Sequence, residues 1–589
     1  MLTLTPSKSN ADQLILNESV PMSNVMSSFF ESDAEMCIVN SKTLPSLQIA
    51  PRSEAQMCVR HGVDAVLDRM ILCEAESGES DLRKHPENPY LMNNLALTYL
   101  NNREIDRASA LLERAVVINP NFRAARLNLA KAYLMGNKLD LAFGIYSALS
   151  KDNSRDIVPR IAISDVYIKR GKYSEAKKTL LSAIEIDSAN IAARNRLALV
   201  YLVENNHRAA ISELRECLRL NSNLPAIYNN LGIAYGYAGQ LKKSIDALKA
   251  ALIISPRYKN AVINLSVSLR ASGQIEDAFR MLEQYLSQND SLEVKEILAR
   301  VSLETGRHKK ALALLNACLL DPTIENETGR IQNNIAVVYH SMREYVRAER
   351  YYLECLSKDK LDKSIPIENF IDLYHDIGES VKEKKLIDLL LEKFGETEVS
   401  AYYLARFCLD SGDIDKAREL LQNVVGKGSE YPPAIIVLSN IYLEYDQNYD
   451  GAIELGEKAL DAHPRNIAVI NNLAYAYLMK GDLRNARNVL KRADIFKDNL
   501  YILATKGLLA IKEGAILDGS KLYNLAKTVA RDKDLKNLVE QKKNLELGRY
   551  YMGIGDLVSA KHHLNKATGF KSKKLIYISQ VRLLLSKLD

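Results

Sequence analysis

The sequence predicts an all-α chain: an α-α superhelix of about 14 helical hairpins, closed by a C-terminal capping helix. Three observations predict it. Gly (26) and Pro (15) are sparse in 589 residues, a composition that favours helix. Small residues recur at Ala108, Ala142, Ala176, Ala210, Ser244 and Ala278, every interval being 34. A second series, Tyr99, Tyr133, Tyr167, Tyr201, Tyr235 and Leu269, keeps the same interval.

The elements follow in chain order. Residues 1–55 are rich in Ser, Asn, Pro and Met without periodicity, and are expected to be a disordered or loosely docked arm. In residues 56–88, Val63, Val66, Leu67, Met70 and Ile71 fall at helical spacing, and Lys84-His85-Pro86-Glu87-Asn88-Pro89 then punctuates the chain as a linker. Residues 89–291 hold six regular units. A third small series, Ala96, Ala130, Ser164, Ala198, Gly232 and Ser266, precedes each Tyr slot by three residues. Small residues let the two helices of a unit approach closely, and the Tyr one turn on is expected to fill the seam to the next hairpin. Pro120, Ser154, Ser188, Ser222, Pro256 and Asp290 close the units with residue types that suit the start of the next helix. One hairpin cannot bury its apolar face alone, but stacked neighbours can. Residues 292–572 hold about eight looser units, the weakest near 365–395, where Glu383 takes the small slot. Residues 573–589, with Leu575, Ile576, Ile578, Val581, Leu583, Leu584 and Leu585, read as the capping helix.

The units resemble the tetratricopeptide repeat family in N-L-G/A-x-x-Y, G-x-x-x-x-A and A-x-x-x-x-P. Asn94-Leu95-Ala96-Leu97-Thr98-Tyr99 and Asn230-Leu231-Gly232-Ile233-Ala234-Tyr235 carry the first of these. The chain departs from that family where an aromatic is common near the start of the first helix: Arg126, Arg160 and Arg194 stand there, with Met92, Tyr228 and Val262. The resemblance implies a protein-interaction array.

Several chemistries are excluded or disfavoured. No run approaches 18 apolar residues, so no transmembrane helix is expected. The N-terminus lacks a basic segment followed by an apolar core, and C-x-x-C does not occur, so a reducing, cytoplasmic setting is expected. There is no phosphate-binding glycine loop, no H-E-x-x-H and no α/β segment of catalytic size, so neither an enzyme nor a cofactor or metal is expected. The pair His562-His563 points about 100° apart on a helix and reads as a solvated face. Cys217, Cys318 and Cys355 occupy the slot of Ala115, Ala183 and Ala251 and read as packing residues.

Two features are candidate sites. One polar slot recurs on the first helix of the units, at Asn94, Asn128, Arg196, Asn230, Asn264, Asn334 and Asn472. Exposed there, Asn can pair bidentately with a peptide backbone. The ladder resembles that of the O-linked N-acetylglucosamine transferase arrays, which implies recognition of extended peptide. The same residues could instead cap or bridge adjacent hairpins. The carboxylate clamp of the Hsp90/Hsp70 co-chaperones is not matched, because Asn94 and Asn128 are followed by Ala162, and Asn230 and Asn264 by Ile297. The second feature is charge. Residues 521–589 carry 15 Lys and Arg against six acids, +9, while residues 1–520 carry −3. Lys561, Lys566, Lys571, Lys573, Lys574 and Arg582 form the core of this basic end. It could recruit an acidic partner, anionic lipid or nucleic acid, or be a solvated cap.

The expectation is a scaffold or adaptor that binds a protein partner, as extended peptide or helix, in its concave groove. The alternatives are an RNA- or acidic-partner-binding repeat protein using the basic end, and a regulatory peptide receptor.

Overall fold

The computed structural model describes residues 78–321, 328–357, 364–428, 431–463, 466–494, 499–530, 533–569 and 576–588. The arm 1–55 and the helix expected around 63–71 lie outside them. After a helical stretch at 78–84, fourteen hairpins follow among the described residues. Those opening the chain are α1 (Pro89–Asn101) with α2 (Ile105–Ile118), α3 (Arg123–Met135) with α4 (Leu139–Asp152) and α5 (Ile157–Lys169) with α6 (Tyr173–Ile186). Next come α7 (Ile191–Val203) with α8 (His207–Leu220), α9 (Pro225–Tyr237) with α10 (Leu241–Ile254), and α11 (Lys259–Ala271) with α12 (Ile275–Leu286). The series continues through α13 (Leu292–Glu304), α14 (His308–Leu319), α15 (Thr328–Ser341), α16 (Tyr345–Leu356), α17 (Ser364–Ile377), α18 (Ser380–Phe394), α19 (Glu398–Asp410) and α20 (Ile414–Gly426). It ends with α21 (Pro432–Ile441), α22 (Tyr449–Ala462), α23 (Ile467–Lys480), α24 (Leu483–Lys491), α25 (Leu500–Lys512), α26 (Ile516–Val529), α27 (Lys533–Gly553), α28 (Leu557–Thr568) and α29 (Ile576–Leu585).

The helices divide into two compact units. The amino-terminal unit runs to Ala271 and includes Arg280–Asn289; the carboxy-terminal unit takes Ser272–Phe279 and everything from Asp290. Within each unit, successive helices pack pairwise, as a row of stacked hairpins requires.

The packing logic within a hairpin is that of small against large. Ala96, Ala108, Ala130, Ala142, Ala176, Ala198 and Ala210 are fully buried where paired helices touch. Gly232 shows how tight this is: a Cβ there would lie 2.5 Å from Leu248 Cγ. The turn between paired helices ends on a left-handed residue, at φ +69° for Gly171 and +59° for Asn137. Arg103, at φ +62°, takes the same slot without glycine's freedom.

The recurring Tyr does more than fill a seam, and the seam is the one to the preceding hairpin, not the next. The Tyr133 hydroxyl donates to Glu113 Oε1 at 2.7 Å, and Tyr374 to Glu349 Oε1 at 2.7 Å, each reaching the second helix of the preceding hairpin. Burial first, and the Glu113 carboxylate second, push the Tyr133 hydroxyl up to about 12. A cation often covers the ring: Arg107 lies 4.3 Å over Tyr99 and Lys177 4.9 Å over Tyr201. Such a slot needs a ring with a hydroxyl at its tip, which Phe and Trp lack.

Three expectations need correcting. The helix starts are capped two residues after Ser154 and Ser188: Asp156 accepts from Val158 N–H and Asn190 from Ala193 N–H. The serine carbonyls serve the unusual arginines instead. Arg160 donates to Ser154 O at 2.8 Å, and Arg194 to Ser188 O at 2.8 and 2.9 Å while pairing with Glu213 at 2.6 Å. Arginine thus ties the inter-repeat turn where an aromatic would fill it. Thirdly, α29 buries Tyr577 and Val581, whereas Leu583 is exposed, so the capping face is narrower than its hydrophobic count suggests.

One later irregularity in the period has a local cause. Between α21 and α22 the chain adopts one π-helical turn, Tyr442–Asp446, and a left-handed Gln447. Such a turn accommodates an extra residue within a helix.

Candidate functional site: an inter-repeat polar ladder

The ladder slot lies on the first helix of each hairpin, and the structure joins its members to a neighbouring column. Asn128 Nδ2 donates to Asn93 Oδ1 at 2.8 Å, Asn230 to Asn195 at 2.9 Å and Asn264 to Asn229 at 2.8 Å. In the carboxy-terminal unit Asn369 donates to Asn333 at 3.1 Å and Asn472 to Asn440 at 2.8 Å, and the Thr505 hydroxyl to Asn471 at 2.7 Å. Within a helix the adjacent amides also meet: Asn229 Nδ2 donates to Asn230 Oδ1 at 3.2 Å, and Asn333 to Asn334 at 3.3 Å. A buried amide must find such partners, and the low dielectric strengthens the bonds they make.

This corrects the premise of exposed asparagines. Asn230, Asn264, Asn334 and Asn472 are buried, Asn128 is half-buried, and only Asn94 of these asparagines is exposed. Arg196 is buried too, 4 % exposed, and forks onto Asp165 of α5. Its Nε lies 2.5 Å from Asp165 Oδ1 and its Nη2 3.0 Å from Oδ2. Burial pushes the Asp165 carboxyl up, and Arg196 and Lys169 pull against it. The slot therefore bridges hairpins. The sequence reasoning missed Asn93, Asn195, Asn229, Asn333, Asn369, Asn440, Asn471 and Asp165; the doubled Asn93-Asn94, Asn229-Asn230, Asn333-Asn334 and Asn471-Asn472 were the available signal.

What remains accessible on that face is set by helical spacing, three and seven residues after each ladder slot. On α3 and α5 these positions bring half-buried Lys131, exposed Met135 and exposed Lys169. On α7, α9 and α11 they bring buried Leu199 and Ile233, half-buried Val203, Tyr237 and Val267, and exposed Ala271. Lys131 and Lys169, the latter beside buried Asp165, thus precede an apolar stretch along the unit. Across residues 78–271 there are 28 Lys and Arg against 17 Asp and Glu, +11, an asymmetry that the near-neutral total of residues 1–520 conceals.

At the basic end, Lys561 and Lys566 on α28 and Arg582 on α29 are exposed. Lys571, Lys573 and Lys574 lie outside the described residues. Lys542, counted in the same excess, is buried: its Nζ sits 2.6 Å from Glu546 Oε1 and between the rings of Tyr475 and Tyr577, 5.2 and 5.1 Å from their centroids. His563 stacks on Tyr551 and its Nδ1 meets Asn544 Oδ1 at 3.0 Å, a packed position; burial pulls its imidazole down. Burial pushes the Cys217 thiol up to about 12 and the Cys318 thiol to about 11, as fits packing residues.

Family profiles described as tetratricopeptide repeat match residues 93–155 and 263–323, 160–190, 333–364, 399–423 and 443–505. The chain contains tetratricopeptide repeats. No curated protein gives a significant match to the sequence. Among solved structures, this tetratricopeptide-repeat chain is similar to the APC/C hetero-tetramer Cut9-Hcn1, at 15 % identity and TM-score 0.45, over 79 % of this chain and 90 % of that one. It is also similar to TTC0263, a thermophilic TPR protein of Thermus thermophilus, at 20 % identity and TM-score 0.29, over 31 % of this chain and 100 % of that one. A tetratricopeptide repeat protein from Parabacteroides merdae matches at 13 % identity and TM-score 0.34, over 45 % and 99 %. Repeats of this kind make a protein-interaction fold, and among the described residues no helix is long and apolar enough to cross a membrane.

Proposed function

We propose that the chain is a non-enzymatic scaffold that holds a segment of a partner protein against the ladder face of its amino-terminal unit and so organises a larger assembly. The observation that carries this is the composition of that face. Its polar amides bond largely to one another, and the residues that reach the surface are Asn94, Lys131, Met135 and Lys169, followed by half-buried Val203, Tyr237 and Val267 and exposed Ala271. A partner segment with acidic residues at one end and apolar ones at the other fits it. Buried free thiols at Cys217, Cys318, Cys355 and Cys408 suit a reducing, cytoplasmic setting.

Affinity purification with mass spectrometry tests this. Lys131→Glu with Lys169→Glu, or Val203→Asp with Tyr237→Asp, should lose the partner, while Val117→Asp, exposed on the second helix of its hairpin, keeps it. Retention by both pairs, with helicity intact, removes the site. A second reading rests on the +11 of residues 78–271: a polyanion could be the ligand. Binding that falls steeply with salt and survives Val203→Asp with Tyr237→Asp favours it.

A further inference from the structure

In most hairpins an Ala or Ser sits where the second helix touches the first. In α18 that place belongs to Glu383, 4 % exposed. Its Oε1 lies 3.3 Å from His375 Nδ1 on α17 and 3.6 Å from Arg406 Nη2 on α19. The same His375 Nδ1 lies 3.3 Å from Asp410 Oδ2 on α19. Arg406 Nη1 donates to Asp372 Oδ1 of α17 at 2.5 Å, and the Tyr403 hydroxyl to Asp372 Oδ2 at 3.3 Å. Beside them Asp376 Oδ2 meets His340 Nε2 of α15 at 3.0 Å. Ionisable groups thus tie consecutive hairpins at a seam that methyl groups fill elsewhere.

Carboxylates outnumber cations at this cluster, and most of all while His375 is neutral. Carboxylates face the cluster from α17 (Asp372, Asp376), α18 (Glu383) and α19 (Asp410), and the guanidinium of Arg406 faces it from α19. A neutral imidazole has one Nδ1 to offer two carboxylate oxygens from different helices. An imidazolium places a positive charge between them.

We infer that His375, Glu383 and Asp410 form a proton-operated clasp that fastens α17 to both α18 and α19, tightening this part of the carboxy-terminal unit as the pH falls. The Glu383 carboxylate beside it raises the His375 imidazole above its ordinary value; burial and Arg406 oppose it, and Asp410 adds to it. A histidine raised on folding gives stabilisation that is complete below its unfolded value, near pH 6.5, and is lost as pH climbs through the raised folded value. The clasp therefore loosens from about neutrality upward.

Hydrogen–deuterium exchange of the full chain, corrected for intrinsic rates, tests the clasp at pH 5.8, 6.8 and 7.8. Peptides from residues 364–410 should lose protection several-fold across that range, while those from α7 and α8 hold theirs. His375→Gln should flatten the profile and His340→Gln should leave it sloping. An identical slope in His375→Gln, a flat wild-type profile, or protection that rises with pH overturns the inference. Should His375→Gln unfold this region, Asp410→Asn decides: Asp410 is 57 % exposed and dispensable for packing, so its replacement should shrink the slope, and an unchanged slope overturns the clasp.

Discussion

Replacing Arg196 by Met removes one partner of an ion pair that is buried on both sides. Arg196 is 4 % and Asp165 6 % exposed, and two nitrogen–oxygen contacts of 2.5 and 3.0 Å join them across adjacent hairpins. Removing the guanidinium leaves a carboxylate in a site that water does not reach, at a cost of about 3–5 kcal/mol. Lys169, whose charge already acts on Asp165, tempers this toward the lower bound. Replacing both, Arg196→Met with Asp165→Leu, removes the stranded charge and should cost far less than the single change. Urea denaturation followed by circular dichroism measures the cycle, and hydrogen exchange of α5 to α8 localises the loss, since neighbouring hairpins share stability only through their contacts. Acidification gives a further sign. Without Arg196 the Asp165 pKa rises further above its unfolded value, so the single variant should gain stability as pH falls through the raised folded value toward the unfolded one. A cost below about 1 kcal/mol for Arg196→Met, or a double variant as unstable as the single, refutes the reasoning.

Two further outcomes follow from the packing. Gly232→Ala puts a Cβ 2.5 Å from Leu248 Cγ and should lower stability by about 1–3 kcal/mol, with partial recovery on adding Leu248→Ala; an unshifted denaturation midpoint contradicts this. Cys217 and Cys318, held up to about 12 and 11, should resist thiol reagents at pH 8 until the chain unfolds, and labelling of either in the native chain at the rate of a free thiol would show the burial to be wrong.

The fold was legible because its physics is local and periodic. Ala108 and its successors are small for one reason, close helix approach, and that reason repeats at every hairpin. The site was less legible because one-dimensional spacing names a slot without naming what faces it. Asn230 looked like a free donor, but its acceptor, Asn195, sits 35 residues back in a neighbouring column. Arg126, Arg160 and Arg194 looked like losses of an aromatic contact; Arg160 and Arg194 prove to hold carbonyl oxygens of the preceding turn, and Arg126 the Asp152 carboxylate at the end of α4. Glu383 looked like a defect in the weakest unit and has ionic partners on two helices. In each case the compensating residue lies on another helix or in a turn, where a period of 34 carries no information about chemistry.

The amide bonds between hairpins also have a direction, because each later Nδ2 donates to an earlier Oδ1. A hairpin with Asn in both columns, such as α9–α10 with Asn229 and Asn230, can accept a successor and bond to a predecessor. Its tandem duplicate should join without a mismatch at either end. The α5–α6 hairpin, which presents Ile161 and Ala162 in those columns, terminates the chain of amides on both sides. The hairpins are therefore not interchangeable bricks: which of them can be copied, shuffled or grafted is written in a two-letter code of adjacent side chains.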